Sequence, residues 1–288
     1  MKPAFSTVGV PDWTLPRIAQ RAKAWGFLGV ELRSFGFGSR PIACDPALTA
    51  PAKARALFSR AGVSIVSIAT SIRFDRPVTP PVLGHLLDTR RDVREAHGAV
   101  DLAISLECPF IRVFGFEIEG NETRTSAVAR IVDRLRQAAD HCDKSGVRLM
   151  LENGGSFATA ADLADLLDRV NSPLVGAAYS VGVGRAAGEN PADAVNVLGD
   201  RLVCVKIQDF KRGVPCALGD GDLHARDSVA SLARAGYDGW LVHEFDRLWF
   251  KDAPDAEATL ARSVRTLFEW IGALGQHAPA HAATACPH

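Results

Sequence analysis

Two glutamates close apolar runs. Glu152 ends Arg148-Leu149-Met150-Leu151-Glu152, and Glu244 follows Trp240-Leu241-Val242-His243. A carboxylate in such a place loses hydration unless a partner or a task compensates it. A pair of them suits proton transfer, one accepting and one donating on opposite faces of a reacting carbon. Lys206 stands inside a third run, Leu202-Val203-Cys204-Val205-Lys206-Ile207. Only 7 of the 33 basic residues are Lys, so a strand lysine is not this chain's default. Flanked by carboxylates, a lysine keeps its proton when their charge outweighs burial. It then stabilises a developing enolate oxygen or donates a proton, and makes a poor Schiff-base nucleophile. The competing reading is an inert ion pair in which Lys206 neutralises two glutamates.

Other strand ends supply weaker candidates: Glu31, Arg33, Arg73, Arg112, Asn153, Ser180, Gln208, Asp209 and Asp246. Arg112 carries a fork suited to a carboxylate, phosphate or keto oxygen, and so does Arg212. Trp13 and Trp249 offer flat faces that wall a pocket or fill a core. His243 is turned away from Glu244 by strand alternation. His97 lies in a helical stretch as a structural residue, and Asp220 and Asp222 in LGDGD shape a turn.

The elements that must hold these residues are strand-sized runs at Ala4–Val10, Leu28–Arg33, Val63–Ala69, Phe110–Phe114, Val147–Glu152, Leu174–Tyr179, Leu202–Ile207 and Trp240–Phe245. Most are apolar throughout, as parallel strands covered on both faces are. Between them lie stretches of helical period, among them Leu15–Trp25, Ala127–Lys144, Ala160–Val170 and Ala192–Leu198, with Gly26, Gly62, Gly146 and Gly236 at expected ends. Eight strands alternating with eight helices predict an α/β fold, a single (β/α)8 TIM barrel over residues 1–275. The alternative, a doubly wound sheet, would want a glycine-rich turn after its first strand; Val8-Gly9-Val10-Pro11 provides none. Residues 276–288 (QHAPAHAATACPH) read as a disordered tail whose His residues and Cys286 would hold only adventitious metal.

Lys plus Arg and Asp plus Glu both number 33, so the net charge is +0 and nucleic acid is not an expected partner. No apolar run reaches a membrane span, and the N-terminus meets Pro, Asp and Trp too early for a signal peptide. Six cysteines without a C-x-x-C pair suit a reducing compartment. A cytoplasmic location and a small-molecule substrate are therefore expected.

Several segments resemble the xylose isomerase-like superfamily of barrels, which holds sugar isomerases, ketose epimerases and inosose dehydratases. They are Pro11-Asp12-Trp13-Thr14-Leu15 with Gly26 through Arg33, Ile111-Arg112-Val113-Phe114-Gly115, Leu151-Glu152-Asn153, Gly188-Glu189-Asn190-Pro191, Leu218-Gly219-Asp220-Gly221-Asp222, and Gly236-Tyr237-Asp238-Gly239-Trp240. The resemblance spans about residues 5–270. It implies a divalent ion held by Glu, Asp, His and Glu on strands five to eight, and often a homodimer or tetramer.

Two of those ligands carry over, as Glu152 and Glu244. The Asp position falls at Ser180, the ligand His at Lys206, and a further substrate His at Val183; Gln208 replaces a common Lys and only Asp209 is kept. An ammonium cannot ligate a cation. Two carboxylates with one ammonium nevertheless carry the same net charge as three carboxylates with one divalent ion. The expectation is an isomerase or epimerase without a metal cofactor, in which Glu152, Glu244 and Lys206 are catalytic. Trp13, Arg112, Ser180, Asp209, Arg212 and Trp249 contact the substrate. A lyase or dehydratase using the same proton abstraction is one alternative, and a non-catalytic binding barrel another. A third keeps Mg, Mn, Co or Zn on Glu152 and Glu244, with Asp209, Gln208 or water completing a rebuilt site.

Overall fold

The apolar runs become β1 (Lys2–Ser6), β2 (Gly29–Arg33), β3 (Ser64–Arg73), β4 (Phe110–Phe114), β5 (Arg148–Glu152), β6 (Val175–Ser180), β7 (Leu202–Ile207) and β10 (Trp240–His243). These eight pair in parallel, each with its neighbour in the chain, and β10 returns to β1 to close a barrel. Closure excludes the open doubly wound sheet. A short antiparallel ribbon, β8 (Phe210–Lys211) with β9 (Val214–Pro215), stands beyond the end of β7. The computed structural model describes residues 1–35, 42–77, 90–118, 120 and 122–275. The tail 276–288 lies outside them.

Strand alternation explains how the barrel interior is filled. Its lower layer is Ala4, Val66, Met150, Ala178, Cys204 and Val242, all buried. Two residues further along five of those strands, on the same face, come Ser6, Glu152, Ser180, Lys206 and Glu244. By the same period Glu31 follows Gly29 on β2. A dry apolar floor thus supports a polar layer at the C-terminal mouth, the end at which such barrels carry their chemistry. The opposite faces, with residues such as Leu149, Leu151, Val205, Ile207 and Leu241, pack against the outer helices in the main core.

Those helices include Leu15–Trp25, Pro51–Ala61, Arg91–Leu106, Arg124–Asp140, Ala160–Val170, Pro191–Leu198, Ala225–Arg234 and Ala256–Gly275. Thr159 begins one with a reciprocal capping box to Asp162, and Asn190 caps another ahead of Pro191. Three boundaries differ from expectation. The first strand stops at Ser6, where Thr7–Gly9 turns into a 3-10 helix, and β3 runs on to Arg73. A six-residue helix, Val181–Ala186, follows β6 directly. Its small residues are required by sterics: a Cβ on Gly184 would stand 1.9 Å from the Tyr179 hydroxyl.

Candidate active site

Four strands deliver side chains to one point at the mouth. Lys206 Nζ lies 2.9 Å from Glu152 Oε2, 3.0 Å from Glu31 Oε1 and 3.1 Å from Glu244 Oε1. The Glu244 contact is a directed hydrogen bond. Arg112 approaches the same group from β4, 3.5 Å from both Glu152 Oε2 and Glu244 Oε1, while its other terminal nitrogen donates to the Thr70 carbonyl at 2.8 Å. Lys206 and Glu31 are fully buried. Glu152, Arg112 and Glu244 keep 7%, 8% and 11% of their side chains exposed and so form the accessible edge.

Further groups fix this arrangement. Ser67 donates to the second Glu31 oxygen at 2.9 Å. The Gln208 amide donates to Glu244 Oε2 and Asp246 Oδ2, both at 3.0 Å. Arg33 is buried, donates to the Ala69 carbonyl at 2.8 Å and to the Ser71 hydroxyl, and stacks on Phe35.

Burial and neighbouring charge oppose each other throughout. Burial works against the Lys206 ammonium and Arg112 adds to that, yet Glu152, Glu244 and Glu31 outweigh both and hold the lysine protonated. Burial would raise Glu31 too, but Lys206 and Arg112 bring it below the usual carboxylate range. Glu152 goes the other way: burial lifts it, aided by Glu244 and Glu31, and the two cations only partly offset that. Burial and Glu244 push Asp246 up to about 8. Burial, with Arg112 adding to it, lowers Arg33 to about 10, leaving it charged at neutral pH.

The residues expected from sequence divide into two groups. Glu152, Lys206, Glu244 and Arg112 meet, and Ser180 is the register partner of Lys206 on β6. Trp249 is 60% exposed at the mouth and meets Phe35 edge-on at 6.2 Å. Trp13 does not line the mouth; it is buried against Trp25 with the Arg17 guanidinium 3.8 Å above its ring. Asp209 is equally remote in purpose. Its carboxylate accepts the backbone N–H groups of Phe210, Gly219, Gly221 and Leu223, which bends LGDGD into a loop and leaves no place for it in a rebuilt metal site. Arg212 is exposed on the ribbon, its N–H donating to Asp222. Glu31, a weaker strand-end candidate to which the sequence assigned no catalytic or substrate role, joins the group; its position two residues after Gly29 on an inward face is the signal for it. Glu189, in the loop resembling the family's, receives the Ala160 N–H at 3.0 Å and the Tyr179 hydroxyl at 2.8 Å, which is a helix-capping role.

The divalent ion implied by the resemblance does not fit this donor set. The lysine nitrogen stands where an ion would face the three carboxylates, and an ammonium offers no lone pair. Charge gives the same answer. Glu31, Glu152 and Glu244 supply three negative charges, and Lys206, Arg112 and Arg33 three positive ones. An added divalent ion would carry its full charge unbalanced into a buried site. Among the described residues no group of three or more His, Cys, Asp or Glu side chains is arranged to hold a metal.

The fold and the inward glutamates define a xylose isomerase-like TIM barrel, and the model of that family matches residues 19–270. The chain belongs to this family. A 2-oxo-tetronate isomerase of Pectobacterium atrosepticum is 26% identical over 170 residues, which are 55% of this chain and 62% of the isomerase. A solved L-ribulose 3-epimerase superposes with a TM-score of 0.79 at 15% identity, covering 100% of both chains. The IOLI protein, solved with a binding zinc atom, superposes at 0.75 with 16% identity over 95% of this chain and 99% of its own. The chain spans less than two thirds of the length of the curated isomerase. It covers 44% of a solved fusion of a xylose isomerase-like TIM barrel with 4-hydroxyphenylpyruvate dioxygenase. Among the described residues no helix is long and apolar enough to cross a membrane.

Proposed function

We propose that this barrel is an isomerase or epimerase that moves a proton next to a carbonyl on a small polyhydroxylated substrate. It does so without the family's divalent ion, Lys206 being the resident cation in its place. The observation that carries the reading is the pairing of Glu152 and Glu244 at the accessible edge, bridged by Lys206 at 2.9 and 3.1 Å. Glu152, whose proton affinity burial raises, is the base that takes the carbon-bound proton; Glu244 returns one from the other face. Lys206 is fully buried behind three carboxylates, so it acts through them, fixing their positions and balancing their charge. Arg112 is the cation at the edge and meets the developing enolate oxygen. The relatives named isomerase and epimerase support this class.

Deuterium exchange tests it. In D2O with a chelator, a panel of ketoses and polyhydroxylated 2-oxo acids is followed by proton NMR for label at the carbon beside the carbonyl. Wild type is expected to exchange at least one substrate. Glu152→Gln is expected to slow exchange by at least about 100-fold with an unchanged near-ultraviolet spectrum. Exchange accompanied by loss of a hydroxyl assigns the lyase reading. Binding of a sugar without exchange by wild type, with only its affinity altered by Glu152→Gln, assigns the non-catalytic one.

A further inference from the structure

Three arginines come to the mouth from β2, β3 and β4, and each lies on a phenylalanine ring. Arg33 stands 4.3 Å over Phe35, Arg112 4.9 Å over Phe114, and Arg73, the last residue of β3, 5.0 Å over Phe116. Two of the three are committed within the protein. Arg33 donates to the Ala69 carbonyl and the Ser71 hydroxyl, and Arg112 to the Thr70 carbonyl and Glu244. Arg73 differs. Its Nε is 3.4 Å from Asp75 Oδ1, its terminal nitrogens have no acceptor among the described residues, and 34% of its side chain is exposed.

The backbone is shaped around this guanidinium. Phe116 holds a left-handed conformation at φ +74°, which is costly for a bulky side chain. Its carbonyl accepts the Ser156 N–H at 2.8 Å, and the next N–H, of Glu117, goes to Asp75 Oδ2 at 3.1 Å. A Cβ on Gly155 would lie 2.5 Å from that carbonyl, so only glycine lets the loop after β5 come so close. Phe116 also meets Phe114 edge-on at 5.8 Å, which joins the rings under Arg73 and Arg112 into one shelf. With Asp75 on the Nε side and Phe116 beneath, the end of the fork is left for a planar anion. Arg73 pairs in register with Phe114, two residues beyond Arg112 on β4, and so stands about 7 Å further along the strand direction than Arg112.

We infer that Arg73 anchors a substrate carboxylate several carbons removed from the reacting carbonyl, which makes the substrate a polyhydroxylated acid of the uronic type. The inference rests on the reading of the mouth as a proton-transferring site with Arg112 at the carbonyl. One guanidinium with Asp75 beside it suits a singly charged carboxylate better than a phosphate dianion. A 2-oxo acid carries its carboxylate on the carbonyl carbon and does not span the step from Arg112 to Arg73, whereas a uronate does.

The test is titration calorimetry of the full chain with hexuronates, with neutral hexoses and ketohexoses of matching stereochemistry, and with 2-oxo acids. Wild type is compared with Arg73→Met and with the double variant Arg73→Gln, Asp75→Asn. Wild type is expected to bind at least one hexuronate at least about tenfold more tightly than its neutral counterpart. Arg73→Met is expected to abolish that preference and to leave the affinity for the neutral sugar within about twofold. The double variant removes both charges, leaves no buried carboxylate unpaired and is expected to do the same; it decides the matter if Arg73→Met folds poorly.

A wild type that binds no hexuronate, or binds acid and neutral sugar alike, overturns the inference, as does a preference that survives in the variants. A preference confined to 2-oxo acids also overturns it, because the anion is then beside the carbonyl. Deuterium exchange on the same compounds keeps the two readings apart. Arg73-dependent binding without exchange refutes proton transfer and leaves the anchor standing, whereas exchange on a neutral ketose with no preference for acids does the reverse.

Discussion

Glu31 and Glu152 contact the same ammonium, yet their environments shift their proton affinities in opposite directions. Glu31 is held below the usual carboxylate range, so its charged form is stabilised by folding; that contribution is present above the unfolded value and is lost as pH falls through the folded one. Glu152 is raised, so folding favours its neutral form and its charge works against the native state as pH rises through the folded value. Opposite stability effects follow. At pH 7, Glu31→Gln removes a stabilised buried charge and is expected to cost about 3 kcal/mol. Glu152→Gln removes a strained one and is expected to leave stability unchanged or raised, while abolishing exchange. Urea denaturation of the two variants at pH 7 checks this, and equal destabilisation by both would refute it. The contrast also shows what a sequence hides. Both glutamates terminate apolar strands and read alike, because both face the same two cations and the sign of each shift depends on the hydrogen bonds around Glu31 and the neighbouring carboxylates around Glu152 that the barrel's closure brings within reach.

At the scale of elements, the loop after β7 shows how a retained residue can serve the fold. Asp209 gathers four backbone N–H groups from Phe210 to Leu223, and a Cβ on Gly221 would lie 2.1 Å from its Oδ1. Asp209→Ala is expected to cost about 2 kcal/mol by orphaning buried donors and to speed hydrogen exchange at Gly219, Gly221 and Leu223 at least about tenfold. Much of this level was legible. Eight apolar runs, their spacing and the glycines closing the helices gave the barrel, because period and length decide parallel strands covered on both faces. The turn role of Asp220 and Asp222 was also readable from composition. What alternation alone did not supply was depth: Trp13 and Asp209 read as mouth residues because they neighbour mouth residues in sequence. Only the packing of Trp25 on Trp13, and the curl of residues 219–223 over Asp209, turns them to structural work.

For the whole molecule, buried His243 at the end of β10 and half-buried Asp246 just beyond it set opposing pH dependences. His243 faces away from the mouth, fully buried, with neither ring nitrogen hydrogen-bonded, and burial lowers it to about 3. Below its ordinary value of 6.5 the unfolded chain binds a proton that the native chain refuses, so stability falls as pH falls. Asp246, raised from 3.8 to about 8, does the reverse: the native chain keeps a proton the unfolded chain has lost, and stability falls as pH rises through that window. Between the ordinary carboxylate value and 6.5 the two nearly cancel, and above 6.5 only the Asp246 contribution remains. Single variants expose each half. His243→Leu is expected to lose folding stability steadily from pH 4.5 to 8, by up to about tenfold in the folding equilibrium per pH unit. Asp246→Asn is expected to gain stability from pH 4.5 to 6.5 and then to level off. Urea midpoints at half-unit intervals measure both. Parallel curves for wild type and His243→Leu would mean that the histidine finds a proton acceptor or water in the folded chain. The flat region of the wild-type curve would then need a different pair of groups to account for it.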